Sequence, residues 1–183
     1  QAYIAAKSRI LRFQHPGDVA ILNRDDPGYW SLAENLKSDL ISFGFQKPDS
    51  KQNGTYIYKD AIWLQLGRES LKMLPLEWTQ LPGRHNIANV LAACAIAAAA
   101  SLALPAIQTA IEEFTGIPHR LEFIRNINGA DWYNDSIATA PERTMAAIEA
   151  FEGPLVLLLG GRDKNLPWDD LAQLIHQRVR AVV

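Results

Sequence analysis

The sequence has 183 residues, of which 48% are hydrophobic and 21% are charged, and its formal net charge is −2 at pH 7. This composition is typical of a soluble globular protein with enough apolar residues to bury a core in one or two domains. The small net charge and the absence of a basic stripe give no electrostatic basis for binding nucleic acid or a membrane surface. Small-molecule chemistry is therefore the expected class of function.

The single cysteine, Cys94, lies in an alanine-rich run, so the chain has neither an internal disulfide nor a cysteine-based metal cluster. This usage favours a reducing, cytoplasmic setting. The longest apolar run, residues 90–100, is much shorter than the roughly 20 residues of a membrane-spanning helix, and no signal peptide opens the sequence. Gln1 stands within a helical pattern and residues 180–183 resemble the start of a buried strand, which predicts an internal part of a longer protein.

Helical and strand patterns alternate in the first part of the chain, as in an α/β fold with a parallel sheet. The predicted elements are a helix at 1–14, a buried strand at 18–23, a helical segment to about 36, a strand at 40–45, and helices at 84–100 and 105–114. Residues 54–66 contain two strand-like runs around a Lys59-Asp60 turn, which predicts a hairpin at the sheet edge.

A glycine and a proline at 116–118 predict a linker, and we place a domain boundary near Gly116. The second part then reads as another α/β unit. Its predicted elements are two strands around a glycine turn at 119–133, a helix from Pro141, a buried strand at 154–159, a helix at 168–178 and a strand from Val179.

Polar residues are concentrated at 133–141, where a predicted strand ends and a helix begins. The carboxyl edge of a sheet is where α/β proteins bind ligands, so this joint is a candidate site. The alternative is that Ser136 or Thr139 only caps the helix. Because two glycines end the strand at 154–159, we expect Lys164 to lie at the same sheet edge as Thr139.

Two further positions allow a functional and a structural interpretation. Asn86 and Asn89 lie three residues apart on a predicted helix, and their amides have the donors and acceptors needed to read an adenine edge. The alternative is a helix cap together with a solvent-facing asparagine. Arg120, just after the linker, is either a phosphate contact or an ordinary surface arginine.

Four segments occur in the order and spacing of the Mur ligases: GRHNIAN at 83–89, HRLE at 119–122, NDSIAT at 134–139 and GGRDK at 160–164. The chain resembles this family over nearly all of its length. The resemblance implies that residues 1–116 are the C-terminal half of a central ATP-binding domain. It implies that residues 117–183 begin a Rossmann-like, glutamate-binding C-terminal domain.

The resemblance also implies an activity. It is the ATP- and Mg²⁺-dependent addition of D-glutamate to UDP-N-acetylmuramoyl-L-alanine, through an acyl phosphate, in the cytoplasmic synthesis of peptidoglycan. The roles it implies for single residues are adenine contacts for Asn86 and Asn89, a phosphate contact for Arg120, a ribose or hinge contact for Asp135, and D-glutamate contacts for Thr139 and Lys164. The complete protein is expected to be a monomer.

For Lys7, the role implied by the family resemblance differs most from the role implied by its residue type and position alone. It ends the segment YIAAK, which resembles a family motif whose lysine is carbamylated by CO2. Carbamylation replaces a cation with an anion that binds Mg²⁺, so the resemblance makes Lys7 catalytic and metal-binding. Without the family, Lys7 is a solvated helix lysine.

The sequence also departs from the family. Ile137 and Ala140 stand where the family usually has lysine and asparagine, and residues 1–183 contain no phosphate-binding loop. We therefore expect this chain alone to be inactive. Two alternatives remain at this point: a folylpolyglutamate synthase-like ligase, and a nucleotide-binding module that has lost catalysis.

Overall fold

The computed structural model describes residues 2–162 and 164–183. The chain forms two compact units, residues 1–80 with 87–114 and residues 81–86 with 115–183. Between the last helix of the first unit and the start of the second, the boundary falls between Phe114 and Thr115. The assignment of two family domains that meet at Gly116 stays a prediction.

The first unit contains a five-stranded mixed sheet in the order β1-β2-β3-β4-β5. β1, β2 and β3 are parallel, whereas β3, β4 and β5 are antiparallel. The strands are β1 (Val19–Asn23), β2 (Asp39–Phe43), β3 (Asn53–Tyr58), β4 (Ala61–Leu66) and β5 (Glu69–Pro75). The helices of this unit are α1 (Ala2–Arg12), α2 (Pro27–Trp30) and α4 (Leu104–Glu112), with a 3-10 turn at Ser31–Asn35 after α2. α3 (Arg84–Ala99) belongs to this unit from Ile87 onward.

The predicted hairpin is confirmed in β3 and β4. Lys59 and Asp60 form its two-residue turn, and both have left-handed backbones, with φ of 47° and 55°. Two left-handed residues match the twist of antiparallel strands, which explains the tight turn. β5, which pairs with β4 and takes the edge position, was not predicted from the sequence. The first four residues of β5 are exposed, and Leu71 is the one apolar side chain among them, so the strand signal in the sequence is weak.

The core of the first unit lies between the sheet and α3. Leu91, Cys94 and Ala95 of α3 are fully buried against Ile62 and Leu74 of the sheet. The small side chains bring the helix backbone close, and the Thr55 hydroxyl donates to the Leu91 carbonyl oxygen at 2.8 Å. Burial raises the pKa of the Cys94 thiol to about 12. This cysteine is therefore a small core residue rather than a nucleophile.

Arg24, immediately after β1, is hydrogen-bonded to β2, to the segment that follows β2, and to β3. Its guanidinium donates to Ser42 Oγ at 3.0 Å, Gly44 O at 3.0 Å and Thr55 O at 2.9 Å, and also to the Gln46 carbonyl oxygen. Burial lowers the pKa of Arg24, while the adjacent Asp25 opposes that shift. A guanidinium has five N–H donors in a fixed plane, which suits it to several carbonyl groups at once.

The second unit contains two separate pairs of strands among its described residues. β6 (Glu122–Ile127) and β7 (Ala130–Asn134) form an antiparallel hairpin. β8 (Leu155–Leu157) and β9 (Val179–Val182) are parallel. The helices of this unit are α5 (Pro141–Glu149) and α6 (Asp169–Arg178).

The prediction that residues 154–159 form a buried strand is only half right. A strand forms, but Val156 is 55% exposed and Leu158 is 66% exposed. An apolar run is buried on both faces only where neighbouring strands and helices cover it, and β8 pairs with one strand here. Across the described residues, no helix is both long and apolar enough to span a membrane.

Candidate active site

Three of the segments that the sequence singled out meet within the second unit. His85 interacts electrostatically with both Arg120 and Asp135, which lie 35 and 50 residues further along the chain. These three residues come from the GRHNIAN, HRLE and NDSIAT segments. Tertiary structure therefore groups a guanidinium, a carboxylate and an imidazole into one cluster.

Gly83 makes room for the imidazole of His85. Gly83 has a φ of +97°, and a Cβ atom placed there would lie 2.8 Å from His85 Cε1 and 2.9 Å from Ala150 Cβ. Burial lowers the pKa of His85, Arg120 lowers it further, and Asp135 acts in the opposite direction. No role for His85 was predicted from the sequence. Its position between Gly83 and Asn86 in the GRHNIAN segment was the one feature of the sequence that could have indicated a role for it.

Asn86 is the buried member of the asparagine pair. It is 5% exposed, and its Nδ2 donates to the Pro82 carbonyl oxygen at 2.7 Å. The alternative that Asn86 caps α3 is wrong, because α3 begins at Arg84 and a capping side chain accepts from backbone N–H groups. Asn89, one turn later, is exposed. Adenine contacts by both residues stay a prediction.

The loop that carries Arg120 has an unusual backbone. The flanking residues His119 and Leu121 have φ values of 66° and 44°, in the left-handed region that residues other than glycine rarely adopt. Arg120 itself is exposed, whereas Leu121 is buried. The side chain of Leu121 thus anchors a loop that presents the guanidinium to solvent.

Asn134 and Asp135 tie the end of β7 to this loop. Asp135 Oδ1 accepts from the Leu121 backbone N–H at 3.1 Å, and Asn134 Nδ2 lies 2.9 Å from His119 Nδ1. The Ile137 N–H donates to the His119 carbonyl oxygen at 3.2 Å. The HRLE and NDSIAT segments therefore form one hydrogen-bonded loop pair.

Neither Ser136 nor Thr139 caps α5. The N-cap residue is Ala140, which has no hydroxyl and makes no side-chain capping hydrogen bond. The capping alternative for these residues is wrong. Thr139 is exposed, so its hydroxyl is accessible to a ligand. Its assignment as a D-glutamate contact stays a prediction.

Lys164 does not share a sheet edge with Thr139, contrary to the sequence-based expectation. Thr139 follows β7 of the antiparallel hairpin, whereas Lys164 follows β8 of the parallel pair. Chain order does not determine which strands pair, and β7 pairs only with β6 among the described residues. Lys164 is exposed, and its proposed role does not require a common sheet.

Lys7 is an exposed residue of α1 in the first unit. Within residues 2–162 and 164–183, no three histidine, cysteine, aspartate or glutamate side chains cluster to bind a metal ion. Carbamylation and metal binding at Lys7 stay predictions.

The first unit also contains a surface groove of about 500 Å³. Its lining includes Lys47, Ser50, Gln65 and Arg68, and none of the predicted site residues. The groove is therefore distinct from the His85, Arg120 and Asp135 cluster.

Comparison with known proteins agrees with the motifs. The model of the Mur ligase middle domain matches residues 1–97. The chain is 37% identical to the UDP-N-acetylmuramoylalanine–D-glutamate ligase of Symbiobacterium thermophilum and 40% identical to that of Syntrophus aciditrophicus. Each alignment covers 100% of this chain and 40% of the relative.

Solved structures share the fold. The MurF ligase from Thermotoga maritima in complex with ADP matches with a TM-score of 0.65 at 12% identity, over 98% of this chain and 47% of that one. The folylpolyglutamate synthetase from Lactobacillus casei matches with a TM-score of 0.59 at 14% identity, over 99% of this chain and 46% of that one. With a domain model that matches more than half of its residues, this chain belongs to the Mur ligase family.

Proposed function

We propose that the complete protein is an ATP-dependent ligase that adds D-glutamate to UDP-N-acetylmuramoyl-L-alanine in peptidoglycan precursor synthesis. The observation that carries this proposal is the 37–40% identity to D-glutamate ligases across the whole chain, which includes all four motif segments. ATP supplies the phosphoryl group that activates the alanine carboxylate as an acyl phosphate. The chain spans 40% of each relative, and the remaining parts of the site belong to the complete protein.

The exposed guanidinium of Arg120 is suited to the ATP phosphates, because guanidinium and phosphate form bidentate, charge-assisted hydrogen bonds. Asp135, which we assign to the ribose or to the hinge, also accepts from Leu121 N. Asn86 and Asn89 are the proposed adenine contacts. The buried amide of Asn86 has a fixed orientation, since Nδ2 is bonded to Pro82 O, and a fixed amide favours selective recognition.

For D-glutamate, the proposed contacts are the exposed residues Thr139 and Lys164. An ammonium neutralises a carboxylate as a point charge, and a hydroxyl both donates and accepts. For Mg²⁺, the proposed residue is Lys7, whose carbamate would supply anionic oxygen of the kind that Mg²⁺ prefers. We further infer a cytoplasmic monomer that needs neither nucleic acid nor a membrane.

Ile137 and Ala140, where the family usually has lysine and asparagine, favour a second candidate, a nucleotide-binding module without catalysis. The backbone of Ile137 is part of the loop pair, since its N–H donates to His119 O at 3.2 Å, so this departure changes the side chain and leaves the loop contact in place.

The test is ADP formation by the complete protein. We expect ADP release only when D-glutamate and UDP-N-acetylmuramoyl-L-alanine are both present. Equal turnover with L-glutamate and a folate would replace the proposal with the folylpolyglutamate synthase alternative. ATP binding without turnover on any of these substrates would favour the non-catalytic module.

A further inference from the structure

Arg120 lies between two residues with unfavourable backbones. His119 and Leu121 are both left-handed, with φ of 66° and 44°, and neither is glycine. Such conformations cost free energy and persist only where the surroundings enforce them. A surface arginine without a specific task requires no such loop, so the strain points to a function for the direction in which Arg120 leaves the backbone.

The surroundings that enforce this loop come mainly from the end of β7. Three contacts cross between the two segments: Leu121 N to Asp135 Oδ1 at 3.1 Å, Ile137 N to His119 O at 3.2 Å, and Asn134 Nδ2 to His119 Nδ1 at 2.9 Å. Within the loop, the His119 N–H donates to Glu122 Oε2 at 2.7 Å. The backbones of His119 and Leu121 are therefore each hydrogen-bonded to another residue, His119 to Glu122 and Ile137 and Leu121 to Asp135.

The contact between Asn134 and His119 has a defined direction. Asn134 Oδ1 accepts from the Ser136 N–H at 3.0 Å, and a backbone N–H is only a donor, so the amide oxygen must face Ser136. The Nδ2 group therefore faces His119 and donates to Nδ1, which places the imidazole proton on Nε2. The side chain of Asn134 thereby links the backbone at Ser136 to the ring of His119.

We propose that Asn134 is a positioning residue for Arg120, which it orients by holding His119 in the left-handed conformation. The proposal rests on the phosphate role of Arg120 given above. A loop that is ordered before ATP binds loses less conformational entropy on binding, and this increases affinity. Asn134 contributes through His119 and makes no contact of its own with the nucleotide.

The test is the affinity of the complete protein for ATP, measured by calorimetry with Mg²⁺ present. We expect Asn134→Ala to weaken binding about 2- to 10-fold, the range that corresponds to the loss of one hydrogen bond. His119→Gly, which removes the ring and frees the backbone, should give a similar loss. The two changes together should weaken binding no more than either alone, because they break the same contact.

Asn126 provides a matched control in the same hairpin. Its Nδ2 donates to Asp131 Oδ1 at 2.7 Å and its Oδ1 accepts from Gly129 N at 3.0 Å, at the opposite end of β6 and β7. Asn126→Ala should leave ATP affinity unchanged. An equal loss in this variant would mean that any disturbance of the hairpin weakens binding, and it would overturn the positioning role.

A double-mutant cycle with Arg120→Ala separates this inference from the proposed function. We expect Arg120→Ala to weaken ATP binding and Asn134→Ala to have no further effect in that background. Additive losses, or a neutral Asn134→Ala beside a weakened Arg120→Ala, would overturn the positioning role alone. Unchanged affinity of Arg120→Ala would overturn the phosphate contact and the positioning role with it.

Discussion

The imidazole of His85 packs against Gly83 so closely that a methyl group on Gly83 would lie 2.8 Å from His85 Cε1. Gly83 also has a φ of +97°, which disfavours any side chain. Gly83 precedes α3 and His85 is the second residue of that helix, where its ring interacts with Arg120 and Asp135.

Gly83→Ala should therefore destabilise the protein for two reasons, overlap with His85 and backbone strain. We expect a loss of roughly 2–4 kcal/mol in the free energy of unfolding. Gly129→Ala is the matched control, because Gly129 has a φ of +84° and open space where its Cβ would lie. Its expected loss is about 1–2 kcal/mol, from strain alone. Urea unfolding measures both, and equal losses would show that His85 moves aside at no cost.

His85 should make stability depend on pH. Its pKa in the folded protein is lowered, first by burial and then by Arg120, so the folded state favours the neutral ring. Below the ordinary value of 6.5, the unfolded chain gains a proton that the folded chain resists, and stability falls as the pH drops toward the folded pKa.

Stability of the unmodified protein and of His85→Gln should be compared between pH 8 and pH 5. We expect the variant to lose less stability on acidification, while the difference between the two proteins stays constant above pH 7. Identical slopes below pH 6.5 would contradict the assigned environment of His85.

Arg24→Lys should destabilise the sheet of the first unit although it keeps the charge. A lysine ammonium has three donors at one point and does not reach Ser42, Gly44 and Thr55 together. We expect a loss of about 2–4 kcal/mol in the free energy of unfolding, since Ser42, Gly44 and Thr55, all buried, each lose a hydrogen bond from the guanidinium. Arg68→Lys, at an exposed position after β4, is the control and should change stability little. Similar unfolding midpoints for the two variants would refute the role of Arg24.

Lys164→Ala tests the proposed D-glutamate site. Loss of a charge-assisted hydrogen bond should raise the KM for D-glutamate roughly 10- to 100-fold and leave the KM for ATP nearly unchanged. Lys51→Ala, which removes an exposed lysine from the first unit, should alter neither constant. Steady-state kinetics of the complete protein give both values, and an unchanged KM for D-glutamate in Lys164→Ala would remove this residue from the site.

Lys7→Ala tests the proposed carbamate. A free ammonium repels Mg²⁺ and a carbamate attracts it, so activity should depend on CO2 and should be abolished in the variant. A small carboxylic acid in the buffer should restore part of the activity by replacing the missing anion. Intact mass and electron density at Lys7, with bicarbonate and Mg²⁺ present, provide an independent measurement. An unmodified lysine together with normal turnover in Lys7→Ala would return it to the role of a solvated surface residue.

Local pattern was sufficient for most elements of this fold. The Lys59-Asp60 turn, the small-residue helix α3 and the strand at Val179 were all predicted, because turn chemistry and hydrophobic period act over a few residues. The four motif segments indicated the family for the same reason, because each is a short, continuous stretch of the sequence and the four follow one another in the family's order.

Tertiary structure decided the features that depend on residues far apart in sequence. β5 is a strand because β4 offers it a partner, and Arg24 bonds to the carbonyl groups of Gly44 and Thr55, a kind of group that every residue possesses. His85 is part of the site because Gly83 leaves space for its ring, which interacts with Arg120 and Asp135, 35 and 50 residues further along the chain. The left-handed backbones beside Arg120 had no signal of their own. Glycine is the residue that prefers this conformation, and neither position holds one. The hydrogen bonds that enforce it involve Asn134, Asp135 and Ile137, on a segment that only folding brings alongside.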